Sequence, residues 1–185
     1  MADYNLFLPI LMENEGYYVS AERAEFIHDS GGETWRGISR NNFPHWMGWS
    51  IIDSYKDKSN FPKSLRADTD LQDLVNAFYK PTFWDVIQGD NINNQSIANF
   101  MADWGVNAGP SVPIKHAQEI LGLAQDGKFG PKTLAAINLV NGLDFFRKLQ
   151  ASRKQFYLDI VTAHPEKGGN LYNWLDRNAS FQYIA

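Results

Sequence analysis

Glu15 is the residue that speaks first. It follows Leu8, Leu11 and Met12 at the i, i+3, i+4, i+7 positions of one helix face, and Gly16 comes directly after it. Three environments fit such a residue: a solvated surface Glu, a buried Glu paired to an Arg, or an acid catalyst. Partial burial and the negative end of a helix dipole both disfavour the carboxylate form, and a general acid near neutral pH needs that upward push. Asp29 is the second candidate. It stands ahead of Ser30-Gly31-Gly32-Glu33-Thr34, where it could simply accept backbone N–H bonds in a turn. It could equally face Glu15 across a cleft, with the Thr34 hydroxyl converging on the same water. One carboxyl kept protonated and one ionised is the equipment for cleaving a glycosidic bond.

Other chemistries find no support. The four histidines, His28, His45, His116 and His164, are scattered and show no H-E-x-x-H spacing. No G-x-S-x-G or G-x-x-x-x-G-K-[ST] is present, which removes nucleophile-elbow and P-loop readings. With no cysteine, thiolate metal sites, disulfides and cysteine nucleophiles are excluded. Asp126-Gly127-Lys128-Phe129-Gly130 is short of calcium ligands and reads as a turn before a helix. Trp35, Trp46, Trp49 and Trp104 offer faces for sugar rings or volume for a core.

The elements that must position these residues are mainly helical. The first helix starts near Asn5, with Pro9 in its first turn and Gly16 as the glycine just past its end. An irregular stretch over 17–38 predicts a small hairpin or ordered loop. Thr69 and Gln72 read as a capping box for a helix carrying Leu71, Leu74, Val75 and Phe78. Ile97, Phe100, Met101 and Trp104 form another stripe, and Pro113, Ile114, Ala117, Ile120 and Leu121 a third, closed by Gly122. Gly130-Pro131 opens a short helix, and a long one runs from about Leu143 to Ala163. The polar segment from Lys56 to Ala67 reads as a loop. A chain of 185 residues with 44% apolar and 21% charged residues builds a full core. A net charge of −4 argues against a nucleic-acid binder, and nothing is long and apolar enough to insert in a membrane. The N-terminus has no basic region ahead of an apolar stretch, so no signal peptide is expected.

The motifs, taken together, carry a resemblance. Glu13-Asn14-Glu15-Gly16-Tyr17-Tyr18-Val19, followed by Asp29-Ser30-Gly31-Gly32-Glu33-Thr34-Trp35-Arg36-Gly37-Ile38-Ser39, resembles the N-terminal signature of glycoside hydrolase family 108. These are phage and bacterial N-acetylmuramidases, some of them named secretion activator proteins. The order Glu, Asp, Thr ahead of a Gly-Ile pair also looks like the catalytic triad of phage-type lysozymes. Asp103-Trp104-Gly105-Val106-Asn107-Ala108-Gly109 is similar to the family's Asp-x-x-x-Asn-x-Gly segment. Gln118-x-x-Leu121-Gly122 and Asp126-Gly127-x-x-Gly130-Pro131-x-Thr133 resemble its peptidoglycan-binding module, and Arg153-x-x-Phe156-Tyr157 and Trp174-Leu175-x-Arg177 its closing helices. Tyr17 departs from the pattern, standing where the family commonly has a second glycine; it could narrow the cleft or add a sugar-stacking ring.

The resemblance implies a mostly α, lysozyme-like fold with a small β element near 17–38. It implies a catalytic region over 1–109 and a peptidoglycan-binding-like helical segment over 110–185, packed on the same body. The implied reaction is hydrolysis of the β-1,4 bond between N-acetylmuramic acid and N-acetylglucosamine, with Glu15 as acid and Asp29 and Thr34 holding the water, and so with inversion. Tyr17, Trp35, Asp103 and Asn107 become candidate substrate-binding residues. No metal or organic cofactor is implied, peptidoglycan strands are the partner, and a monomer is expected. Release to the wall would need a holin or an exporter. Two readings from other classes stand beside this one: a non-catalytic wall-binding or secretion-assisting protein, and a non-hydrolytic lytic transglycosylase.

Overall fold

The structure, a computed structural model, describes residues 1–26 and 31–185. Asp29 and His28 lie outside the described residues. The fold is mostly α, with a small antiparallel sheet among the described residues. The chain forms two compact units, Leu8–Tyr79 and Met1–Phe7 together with Lys80–Ala185.

In the unit Leu8–Tyr79, helix α1 (Tyr4–Asn14) supplies its later turns. Its start lies earlier than the sequence predicts, and Pro9 sits past the first turn. Asp3 makes this possible: its carboxylate accepts from the Asn5 N–H at 2.8 Å, capping the first turn and fixing it ahead of the proline. Leu11 is fully buried, and Leu8, Met12 and Glu15 are half-buried, so the predicted stripe is the inward face. Gly16, at φ 63°, ends the helix as expected.

The sheet has strands β1 (Tyr18–Val19), β2 (Thr34–Trp35) and β3 (Ile38–Ser39) in sequential order. Tyr18 pairs with Trp35 and Val19 with Thr34; Thr34 then pairs with Ser39 and Trp35 with Ile38. Arg36 and Gly37 form the two-residue loop between β2 and β3, at φ 50° and 78°. Positive φ at both positions is what a tight hairpin of this length demands. Helices α2 (Ala21–Phe26), α3 (Gly48–Tyr55) and α4 (Thr69–Tyr79) complete the unit. The cap of α4 is one residue earlier than the capping-box reading: Asp68, not Thr69, accepts from the N–H three residues on, that of Leu71, at 2.8 Å. The stretch predicted as loop over 56–67 ends in a 3₁₀ turn, Lys63–Ala67, that buries Leu65.

The second unit centres on α5 (Gln95–Ala108), capped by Asn94, whose side chain accepts from the Ile97 N–H at 3.1 Å. Every residue from Ser96 to Gly105 is buried, so α5 is the core of this unit rather than one wall of it. Phe100 meets Trp104, Phe146 and Phe181 edge-on. Around it pack α6 (Ser111–Ile120), α7 (Pro131–Leu139), α8 (Gly142–Ala163) and α9 (Leu171–Ser180). No helix among the described residues is long and apolar enough to cross a membrane.

Candidate active site

Glu15 reaches its place because α1 stops there. Gly16 turns the chain left-handed, and the next residues enter β1. The carbonyls left open at the helix end are met by Arg36, whose Nη1 donates to Met12 O at 3.3 Å and to Gly16 O at 3.2 Å. Arg36 N also donates to Tyr17 O at 2.9 Å. The β2–β3 loop is thereby fastened to the end of α1. Gly37, in that loop, is the floor of the site: a Cβ there would overlap Glu15 Oε2 and the Tyr79 hydroxyl. Only glycine satisfies both this contact and the φ of 78°. The Tyr79 hydroxyl spends its proton on Arg36 O at 2.6 Å, so it turns lone pairs rather than a proton to the space it shares with Glu15.

Thr34 lies on the central strand, half-buried, and its Oγ1 donates to Gly32 O at 2.9 Å. With its own proton committed, the hydroxyl is left as an acceptor. The sheet thus carries Thr34 and Gly37 on one hairpin, three residues apart.

Glu33, beside Thr34, is tied elsewhere. It is buried and accepts from the Tyr18 hydroxyl at 2.6 Å, while Arg40 Nε stands 2.7 Å and Lys56 Nζ 3.0 Å away. Burial, then the bond to Glu33, pushes the Tyr18 phenol well above its ordinary pKa, so it stays a donor. Arg40 and Lys56 also grip Asp53, at 2.7 and 2.9 Å, and the Arg40 bond holds the Asp53 carboxyl below its usual range. This cluster joins the sheet to α3 and commits Glu33 to three structural partners.

The candidate substrate-binding residues fall in different places. Trp35 is 0% exposed, so its ring is core and has no face for a sugar. Trp49 and Trp104 are buried likewise, and Trp46 lies over Gly48, leaving no room there for a Cβ. Tyr17 is partly exposed, but guanidiniums cover its ring: Arg36 Cζ is 3.9 Å and Arg66 Cζ 3.7 Å from the centroid. It is therefore not a free stacking platform. Asp103, in the other unit, is 0% exposed and ion-paired to Arg153 at 2.8 Å and Arg177 at 2.6 Å. It cannot touch a ligand. Asn107 is exposed on α5, and its Oδ1 accepts from Arg153 at 3.1 Å and from the Tyr157 hydroxyl at 3.2 Å.

The Gln118 motif is likewise internal. Gln118 Nε2 donates to Asp126 Oδ1 at 2.7 Å and to Lys128 O at 3.0 Å, and its Oε1 accepts from Gly127 N at 3.0 Å. The bond from the Lys128 N–H, then that from Gln118, holds the Asp126 carboxyl below its usual range. These residues build the turn ahead of α7. Sequence reasoning missed Tyr79 and the role of Gly37 as the floor beneath Glu15. The one signal was the Gly37-Ile38 pair, whose reason is a contact 22 residues away along the chain.

Residues 8–109 match the family model described as glycosyl hydrolase 108, and residues 112–179 match one described as a predicted peptidoglycan domain. No curated protein matches the sequence. Among solved structures the chain is similar to that of Brucella abortus SagA, with a TM-score of 0.62 and 22% identity over 97% of each chain. At that identity the likeness is one of fold.

Proposed function

The chain belongs to the glycosyl hydrolase 108 family, and from that premise we propose that it is an N-acetylmuramidase. It hydrolyses the β-1,4 bond between N-acetylmuramic acid and N-acetylglucosamine in peptidoglycan. Glu15 protonates the leaving glycosidic oxygen. Asp29 takes a proton from a water that Thr34 helps to orient, and that water attacks the anomeric carbon from the far face. The configuration inverts, because no covalent glycosyl intermediate forms. Segment 110–185 holds the glycan strand, through surface residues other than Gln118 and Thr133, which face inward. The protein works as a monomer at the cell wall and uses no cofactor.

The observation that carries this reading is the seating of Glu15. A half-buried carboxyl at a helix end, backed by a glycine that admits it and a tyrosine oxygen that offers no proton, is held in one place. Fixed placement is what general acid catalysis requires. The Thr34 hydroxyl, with its proton on Gly32 O, is left with lone pairs for a water O–H.

Digestion of purified peptidoglycan followed by mass analysis tests the reading. Fragments with reducing muramic acid ends, first formed as the α anomer by NMR, are expected. A 1,6-anhydro end would assign a transglycosylase instead, a β anomer would remove the inverting mechanism, and binding without any fragment would leave a wall-binding protein.

A further inference from the structure

We propose that Arg36 and Arg66, stacked on Tyr17, form an anion subsite that takes a carboxylate of the glycan substrate, the acidic group a muramyl strand has and chitin lacks. The inference rests on the muramidase reading and adds the residues that read the charge.

The stacking geometry comes first. Two guanidinium carbons at 3.9 and 3.7 Å from one ring centroid fit only on opposite faces of the ring. Two like charges are thus held across a single tyrosine, an arrangement that a bound anion relieves.

Their state of pairing comes second. Arg36 spends Nη1 on two backbone carbonyls, and its buried Nε has no partner among the described residues. Arg66 is exposed on the 3₁₀ turn Lys63–Ala67 and makes no ion pair among the described residues. The contrast within the same unit is sharp, since Arg40 and Lys56 are both neutralised by Glu33 and Asp53. Among the described residues, the unit pairs carboxylates with Arg40 and Lys56, and no ion pair is seen for Arg36 or Arg66.

Position is the third observation. Arg36 immediately precedes Gly37, whose Cα the Glu15 carboxylate covers, and Tyr17 stands two residues after Glu15. Arg36 therefore stands on the loop beneath the proposed acid, and Arg66 comes to the same neighbourhood from the turn Lys63–Ala67 through the Tyr17 ring. A guanidinium already packed on a ring loses little freedom on binding, and the fork of the exposed Arg66 matches a carboxylate in two parallel hydrogen bonds.

Arg66 is exposed, so Arg66→Gln spares the core, and Arg66→Lys keeps the charge without the fork. Binding is measured by calorimetry on the full chain carrying Glu15→Gln, so that no bond is broken, with three probes: a neutral N-acetylglucosamine oligomer, a muramyl oligomer of equal length with bare lactyl groups, and the same oligomer bearing stem peptides. Arg66→Gln is expected to weaken the acidic probes roughly tenfold and flatten their salt dependence, with the neutral probe unchanged and Arg66→Lys intermediate. A loss already present with the bare lactyl probe assigns the lactyl carboxylate; a loss confined to the third probe assigns the peptide carboxylate. Equal losses on neutral and acidic probes, no loss on any, or no binding of acidic probes when Arg66 is left in place would overturn the subsite. Failure of the muramidase reading shows separately, as intact glycan after digestion, because these affinities are read with no bond broken.

Discussion

Glu15 and Asp103 are both carboxylates on the inward side of an apolar helix, and their surroundings could hardly differ more. Asp103 is fully buried on α5 and answered by Arg153 and Arg177, with Tyr157 and Asn107 closing the ring of hydrogen bonds. Glu15 is half-buried at the last turn of α1 and rests on a glycine in a hairpin loop. Two cations on a buried carboxylate hold it in place and leave a substrate nothing to touch. A carboxyl at a helix end keeps access to solvent and to a ligand. The same chemical group is a structural pin in one unit and a candidate reagent in the other, and what divides the roles is whether α5 or the chain end of α1 carries it.

Replacing each in turn breaks the comparison most directly. Glu15→Gln keeps shape and removes the proton donor, so peptidoglycan hydrolysis should fall by roughly 10²–10⁴-fold with the melting temperature maintained. Undiminished activity would assign the acid elsewhere. Asp103→Ala should do the reverse and act on stability, costing about 3–5 kcal/mol in denaturant unfolding, because it leaves the fully buried Arg153 without its counter-charge. A small loss there would mean that the guanidiniums find other partners.

Gly37→Ala sharpens the comparison at the Glu15 side. The added methyl meets Glu15 Oε2 and the Tyr79 hydroxyl, and φ is 78°. A stability loss of about 1–2 kcal/mol is expected from the backbone alone. Activity should fall further than that loss accounts for, since the acid is displaced; parallel losses measured by melting and hydrolysis would make Gly37 a turn residue only.

The smallest effect is on the other unit. His116 stacks on Trp104 at 4.8 Å, with Ser152 Oγ 2.8 Å from its Nδ1. Burial lowers its pKa below the ordinary 6.5. As pH falls through that value the unfolded chain takes up a proton that the folded one refuses, so stability should decline between the ordinary and the lowered pKa. His116→Phe should flatten that slope in denaturation curves from pH 7 downward, and an unchanged slope would place the titration on another group.

Much of the helical frame was legible because it is written in local periods. The stripe of Leu8, Leu11, Met12 and Glu15, the stop at Gly16, and the opening of α7 at Gly130-Pro131 all depend on residues within a few positions of one another. Where reading failed, a distant or competing group decided. Asp68 took the cap from Thr69 because it stands three residues before the N–H it accepts from, that of Leu71, the spacing an N-cap needs.

The candidate site divides in the same way. The type and order of Glu15, Asp29 and Thr34 are properties of the sequence, as are the absence of cysteine and of any local zinc or nucleophile motif. Tertiary structure alone removed Trp35 and Asp103 from the substrate-binding candidates, covered Tyr17 with Arg36 and Arg66, and set Gly37 beneath Glu15. The physical reason is range. Periodicity, capping and turn chemistry act over a few residues, whereas burial and ion pairing depend on which distant segments meet: Asp103 has its partners 50 and 74 residues away. A residue's chemistry is therefore in the sequence, but its exposure and its neighbours, which decide whether that chemistry is used, exist only once the chain has folded.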